Sequence, residues 1–171
     1  MISITKATAE DFHLIAGIGK ISFIESHGNS AKPADINNYV DKKFNYDVIK
    51  NELEEFGNLY HIINYDNEPA GYSKIIFNSP HADIAIKNVT KLERLYLLKK
   101  FYGLKLGAVL FNFNLELSKN NNQAGMWLYV WKENQQAIAF YKKIGFKIIG
   151  SYDFKITETH SNPNHHMLLM Y

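Results

Sequence analysis

Residues 126–146, Met-Trp-Leu-Tyr-Val-Trp-Lys-Glu-Asn-Gln-Gln-Ala-Ile-Ala-Phe-Tyr-Lys-Lys-Ile-Gly-Phe, constrain the fold of this chain more than any other stretch. Met126 to Trp131 alternate with the period of a strand. Asn134 then leads a helical run that stops at Gly145, and Phe146 opens a new apolar segment. The result is a strand–helix–strand unit. Asn134 and Tyr141 are separated by nearly two helical turns, which puts both side chains on one face about 10 Å apart. Ala137 and Ile138 fall between them, so a thin ligand arm has room to lie along the helix.

The 171 residues suffice for one domain with a real core, and residues 1–171 are read as a single domain. Apolar residues make up 46% and charged residues 21%, the balance of a soluble globular protein. There is no cysteine, which excludes disulfides, zinc–thiolate sites and a cysteine nucleophile. The opening Met-Ile-Ser-Ile-Thr-Lys lacks the basic start and apolar core of a signal peptide. No apolar run approaches the ~18 residues that span a bilayer. A cytoplasmic protein without a membrane partner is expected. Residues 1–60 carry nine acids and six Lys, whereas residues 61–171 carry eight acids and thirteen Lys or Arg. The basic C-terminal part suits an anionic ligand and the acidic N-terminal part a cationic one. No Lys/Arg block is dense enough to suggest nucleic acid.

Along the chain, residues 2–6 alternate as a strand, and Thr8 can cap a helix over 9–24 with Glu10 and Asp11 in its first turn. Residues 26–33 read as a loop, and 34–43 and 46–55 as two short helices. Strands follow over 59–65 and 68–77, joined at Asp66-Asn67. Residues 79–86 have no clear pattern. A strand is expected over 90–98 and a helix over 105–119, where Leu106, Val109, Leu110, Phe113 and Leu117 recur at helical spacing. After the 126–146 unit come strands near 147–155 and 165–171, joined by a polar loop.

A second constellation precedes the first. Residues 92–111, Leu-Glu-Arg-Leu-Tyr-Leu-Leu-Lys-Lys-Phe-Tyr-Gly-Leu-Lys-Leu-Gly-Ala-Val-Leu-Phe, run from a strand through a glycine-bearing loop into a helix. Glycines let a backbone turn freely, and N–H groups at a helix start favour an anion. Together with the Phe-Tyr-Lys-Lys-x-Gly-Phe ending at 146, this order of elements resembles the GNAT superfamily of acyl-CoA-dependent N-acyltransferases. The resemblance implies an α/β (α+β) GNAT fold, with a central mixed, mostly antiparallel sheet flanked by helices. It implies acetyl-CoA as co-substrate and no metal.

The same resemblance assigns roles. Tyr102, Gly103, Leu104, Lys105, Leu106, Gly107 and Ala108 occupy the diphosphate loop, with Tyr102 in place of the usual Gln/Arg and Lys105 in place of a middle glycine. Lys105 could add a charge-assisted contact, or obstruct the loop if its position requires φ > 0. Lys99 and Lys100 add positive charge nearby. Leu95, Tyr96 and Leu97 lie on the strand whose backbone pairs with the pantetheine arm and offers an N–H to the thioester oxygen. Asn134, Ala137, Phe140 and Lys143 belong to the helical half of the acyl-CoA site. Tyr141 is the expected proton donor to the leaving thiolate. Glu93 is the expected acceptor of the amine proton, and a surface or salt-bridged glutamate beside Arg94 is the alternative.

For the acceptor, Ser-Phe-Ile-Glu-Ser-His-Gly (22–28), the Pro-Ala-Asp helix start, Ile49–Leu53 and Pro-Ala-Gly-Tyr-x-Lys (69–74) resemble the bacterial spermidine/spermine (polyamine) acetyltransferase branch. That places Glu25, His27, Asp35 and Tyr39 as candidate substrate contacts, with Asp41 and Phe44 available beside them. The function implied is acetyl transfer to a primary amine of a small, polyamine-like molecule. A protein or peptide amine, and a catalytically silent acyl-CoA-binding module, stay open as alternatives. The apolar last strand would allow a homodimer. His160, His165 and His166 cluster in the tail without a carboxylate or third ligand at metal-binding spacing.

Overall fold

Alternation and turn chemistry lay down the strands, and the computed structural model describes all residues from Met1 to Tyr171. The strands are β1 (Ile2–Lys6), β2 (Asn58–Tyr65), β3 (Glu68–Ile76), β4 (Val89–Leu97), β5 (Gly125–Trp131), β6 (Lys147–Lys155) and β7 (Ser161–Met170). The helices are α1 (Phe12–His27), α2 (Pro33–Lys43), α3 (Tyr46–Glu54), α4 (Leu106–Asn120) and α5 (Gln135–Ile144). One seven-stranded sheet has the order β1-β2-β3-β4-β5-β7-β6. β4 and β5 are its parallel neighbours. The β1/β2, β5/β7 and β6/β7 pairs are antiparallel. This is the mixed, mostly antiparallel sheet with flanking helices that the resemblance implied. Met1–Ile75 with Arg94–Asn114 form one compact unit, and Ile76–Glu93 with Leu115–Tyr171 form a second.

In the first unit, Asp66 and Asn67 take φ of 48° and 66°, the left-handed pair of a tight hairpin turn, as their sequence suggested. Ile63, Ala70, Phe101, Leu106 and Leu110 make a buried cluster joined by Leu95 and Leu97. Gly71 is where β3 meets β4 most closely, because a Cβ there would stand 2.1 Å from the Tyr96 carbonyl oxygen. In the second unit, Met126, Leu128 and Val130 of β5 are all buried, and Trp127 joins Ile84 and Val89 in a further cluster.

Three boundaries differ from the sequence reading. A 3-10 turn over Ala9–Asp11 precedes α1, fastened by the Asp11 carboxylate, which accepts from the Thr8 N–H at 2.7 Å. α1 also runs on through Ser26 and His27, since the Ser26 hydroxyl donates back to the Ser22 carbonyl at 2.7 Å and Gly28 N–H to Ile24 O at 2.9 Å. β7 starts at Ser161 rather than 165, despite Pro163. The Pro163 carbonyl accepts from Lys132 N–H at 2.9 Å, just past the last β5 pair at Trp131↔Asn164. The missing proline N–H faces that same side, so it forgoes only the reciprocal bond to Lys132, at the end of β5, and takes nothing from the pairing with β6.

The first unit is tied together by one buried ion cluster. Arg94 of β4, only 4% exposed, grips Glu52 of α3 with two guanidinium bonds of 2.8 and 3.1 Å. It also donates to the Tyr60 hydroxyl of β2 at 2.8 Å, and Tyr60 donates to Glu52. Lys74 of β3 donates to Glu52 at 3.1 Å. Three strands thus converge on one carboxylate of α3. Burial alone would push the Glu52 carboxyl up, but Arg94, with Tyr60 and Lys74, outweighs this and draws it down to about 2.

Removing one member leaves the others buried and unmatched, the situation that costs about 3–5 kcal/mol. Glu52→Ala is therefore expected to lower stability by that amount in urea unfolding, whereas Glu52→Leu with both Arg94→Met and Lys74→Met recovers much of it. The pH dependence has a definite sign. A carboxyl held below its ordinary 4.5 contributes stability that is complete above pH 4.5 and is lost as pH falls toward 2. Acid titration of the wild type is expected to show this loss, and Glu52→Ala to lack it.

Candidate active site

The diphosphate-loop candidates lie in the first unit. After β4, Lys99–Phe101 form a 3-10 turn, Gly103 takes φ of 84° and Lys105 φ of 60°, and α4 begins at Leu106. Leu106 and Leu110 are buried, which fixes the start of α4 in the core while residues 102–105 stay exposed. Ala108 and Val109 N–H groups bond to Lys105 O at 3.0 and 3.2 Å. The N–H groups ahead of them have no acceptor within the helix, which is the usual condition of an anion-binding helix start. Gly107 lies against Leu97, since a Cβ there would be 3.2 Å from its Cδ1. Lys105 thus occupies a left-handed position where glycine carries no penalty. Lys100 differs from expectation, because its ammonium pairs with Glu68 and lies over the Phe101 ring. Lys99 and Lys105 remain as exposed cations of the loop.

Leu95, Tyr96 and Leu97 divide between two surroundings. Leu95 and Leu97 pack with Leu106 and Leu110, while the Tyr96 ring meets Phe44 and Tyr72 edge-on at 6.2 and 5.5 Å. Alternation along β4, together with the Arg94 cluster, sets this arrangement.

The helical half of the candidate site lies in the second unit, and the local sequence explains its geometry. Asn134 is the N-cap of α5, its side chain accepting from Ala137 N–H at 3.1 Å. Gly145 ends the helix with φ of 114°. Its N–H reaches Lys142 O at 3.0 Å, and Phe146 N–H reaches Tyr141 O at 3.1 Å. This pair of bonds is the Schellman ending, which is accompanied by an apolar contact between the residues it joins. Here that contact is Tyr141 against Phe146, ring centroids 5.3 Å apart and edge-on, with Phe140 also at 5.3 Å. The Phe-Tyr-x-x-x-Gly-Phe string is thus a device for holding one tyrosine ring. Tyr141 is buried, and burial pushes its phenol well above the ordinary value, so it keeps its proton at neutral pH. Ala137 and Phe140 share this helix, and Lys143 is in its last turn, where a cation offsets the helix dipole.

Arg94 directs its guanidinium to Glu52, whereas Glu93 meets a different cation. Its carboxylate lies 3.2 Å from Lys91, and the Lys91 ammonium sits over Trp127 at 5.2 Å.

Among the acceptor candidates, two are brought together. The Phe23 ring stacks on His27 at 4.7 Å and meets Tyr39 in a tilted contact at 4.8 Å. His27 Nδ1 meets the Ser26 hydroxyl at 2.7 Å, and burial lowers its pKa to about 4, so the ring is neutral near pH 7. Glu25 is engaged by backbone, accepting from Lys99 N–H at 2.8 Å, which ties the end of α1 to the start of the diphosphate loop. Asp35 stands in the first turn of α2, where a carboxylate suits the unpaired N–H groups. Asp41 pairs with Lys20 at 2.9 Å, and Phe44 lies under the Arg94 guanidinium at 5.4 Å. The Glu52–Arg94–Tyr60–Lys74 cluster escaped sequence reasoning. Glu52 and Lys74 fall inside strings noted for their resemblance, but nothing in their spacing announces that they meet.

The loop makes a testable prediction. A non-glycine residue in the left-handed region is strained by about 1 kcal/mol. Lys105→Gly is expected to hold or raise stability by up to that amount in urea unfolding, and Lys105→Val, with a branched Cβ, to lower it by about 1–2 kcal/mol.

Comparison with known proteins identifies the family. The description "Acetyltransferase (GNAT) family" matches residues 25–146. An uncharacterised N-acetyltransferase encoded in the pepI 3′ region of Lactobacillus delbrueckii subsp. lactis is 28% identical over 144 residues, covering 84% of this chain and 83% of that protein. In structure, the PaiA N-acetyltransferase of Thermoplasma acidophilum, solved with coenzyme A, superimposes with a TM-score of 0.78 at 21% identity, over 100% of this chain and 99% of that one. The ribosomal-protein-S18-alanine N-acetyltransferase of Escherichia coli gives 0.73 at 16% identity, over 99% and 94%. These two share the fold. With the family match spanning well over half its length, the chain belongs to the acetyltransferase (GNAT) family.

Proposed function

We propose that residues 1–171 act as a single cytoplasmic N-acetyltransferase domain that moves the acetyl group of acetyl-CoA onto a primary amine of a small, polyamine-like molecule. The observation that carries this reading is Tyr141, a neutral phenol whose ring and backbone are both held by the α5 ending. Membership of the family supplies the co-substrate. The loop N–H groups at 105–107 take the diphosphate, and Lys105 adds a charge to it.

The chemistry follows from the residues. A neutral amine nitrogen attacks the thioester carbon, forming the C–N bond, and proximity in a ternary complex supplies most of the rate. An N–H in the Leu95–Leu97 stretch of β4 steadies the oxyanion. As the adduct collapses the C–S bond breaks, and the CoA thiolate takes the Tyr141 hydroxyl proton. The proton released by the amine passes to Glu93 or to a water chain, and Tyr141 is reprotonated from solvent. The polyamine reading rests on the strings at 22–28 and 69–74 and on the Phe23, His27 and Tyr39 rings. A neutral His27 adds no charge to repel a cationic acceptor, and aromatic faces attract ammonium groups.

Two measurements test the reading. Tyr141→Phe is expected to cut kcat roughly 10²-fold, the usual scale for loss of a general acid, with acetyl-CoA affinity unchanged; unchanged turnover would remove Tyr141 from the mechanism. CoA thiol release is then followed across spermine, spermidine, putrescine, aminoglycosides, amino acids and short peptides. Release confined to polyamines supports the acceptor assignment. Release with peptides alone overturns that assignment and leaves the reaction standing. Silence with acetyl-CoA bound overturns the acceptor assignment and favours either an acceptor outside the panel or a catalytically silent acyl-CoA-binding module.

A further inference from the structure

Acetyl transfer leaves one cluster of the second unit without a task. His81 and Asp83 lie on the loop between β3 and β4, and His166 lies within β7. Asp83 Oδ2 is 3.6 Å from His81 Nδ1 and 3.7 Å from His166 Nδ1. One ligand atom from each residue lies within 4.8 Å of the other two. These separations are too long for hydrogen bonds. They are near the roughly 3.4 Å that separates two ligands each about 2.1 Å from a tetrahedral metal.

His166 supplies the independent observation. It is 1% exposed, and neither ring nitrogen has a hydrogen-bond partner. Burying such a group without a partner is costly, and native structures avoid it unless something unseen satisfies it. Gly150 stands at a register shift of β6 beside this point. A Cβ there would lie 3.7 Å from Asp83 Oδ2 and 3.8 Å from His166 Nδ1, so the bare glycine leaves that volume open. His81 is already oriented. Its Nε2 meets the Tyr129 hydroxyl at 2.7 Å, and its Nδ1 accepts a long 3.2 Å bond from Asp83 N–H, so the lone pair is on Nδ1, and a cation there would take the place of that long bond. A partner on the far ring nitrogen is what ligating histidines ordinarily have. Trp127 packs against both imidazoles, with centroids at 5.0 and 5.3 Å. Asp83, its side chain 60% exposed, opens the cluster to solvent.

We propose that His81, Asp83 and His166 bind one divalent transition-metal cation of the zinc class, fastening the loop between β3 and β4 to β7. Two imidazoles and one carboxylate suit borderline cations, whereas magnesium and calcium prefer all-oxygen sets. Three protein ligands leave a fourth position for water. The tail spacing could not reveal this, because two of the three ligands come from the patternless stretch 79–86.

The test is calorimetric titration of the tag-free chain, stripped with a chelator, with zinc chloride. One zinc per chain, with Kd in the micromolar range or tighter, is expected. Asp83→Asn and His81→Gln should each weaken it at least 10-fold, whereas His165→Gln should not. Asp83 is a surface carboxylate, so its variant tests the site even if a His166 variant fails to fold. Cobalt in place of zinc should give the intense visible band of a tetrahedral site. No uptake, or uptake undiminished in both Asp83→Asn and His81→Gln, would overturn the proposal.

Discussion

Arg94 occupies a position that water cannot serve, and much of the first unit is arranged around that fact. A guanidinium only 4% exposed needs a carboxylate and further acceptors. Glu52 answers with both oxygens, and Tyr60 bridges the two. Each partner arrives on a different element, so α3, β2, β3 and β4 share one electrostatic knot. Leu95, Tyr96 and Leu97 follow Arg94 directly on β4. The strand proposed to face the thioester is therefore fixed by a charge pair one residue away, not by apolar packing alone. Gly71 contributes from the neighbouring strand by letting the β3 backbone come against Tyr96 O.

Each candidate half-site is built from a helix terminus, and the two use opposite chemistry. At the start of α4, left-handed Gly103 and Lys105 lead the chain into a first turn whose N–H groups have no acceptor inside the helix. At the end of α5, Gly145 closes the carbonyls by the Schellman pattern and brings Phe146 onto Tyr141. One terminus keeps its polar groups available, and the other uses them to immobilise a phenol. Lys105 carries a conformational cost at its place, with φ of 60°.

The sequence disclosed these local devices better than the long-range ones. Asn134, Gly145 and the Asp66-Asn67 turn were legible because caps and tight turns depend on residues a few positions apart. The strand and helix order was legible because alternation and helical spacing are local as well. Pro163 misled, since its cost depends on which neighbour its missing N–H would face, and that is set by β5. Arg94 seemed a partner for Glu93 by adjacency, yet neighbours on a strand point to opposite faces, and Glu52 was 42 residues away. His81 and Asp83 had no pattern around them at all, and only the pairing of β7 with β5 and β6 gives His166 its surroundings.

The central claim is that this fold passes an acetyl group from CoA sulfur to an amine nitrogen. The most direct measurement follows acetyl-labelled acetyl-CoA in the presence of a mixture of polyamines, with the products separated and weighed by mass spectrometry. Label is expected in an amide on a primary amine, with free CoA formed in equal amount. Label appearing only as free acetate, or remaining on CoA while the thioester is demonstrably bound, would contradict it.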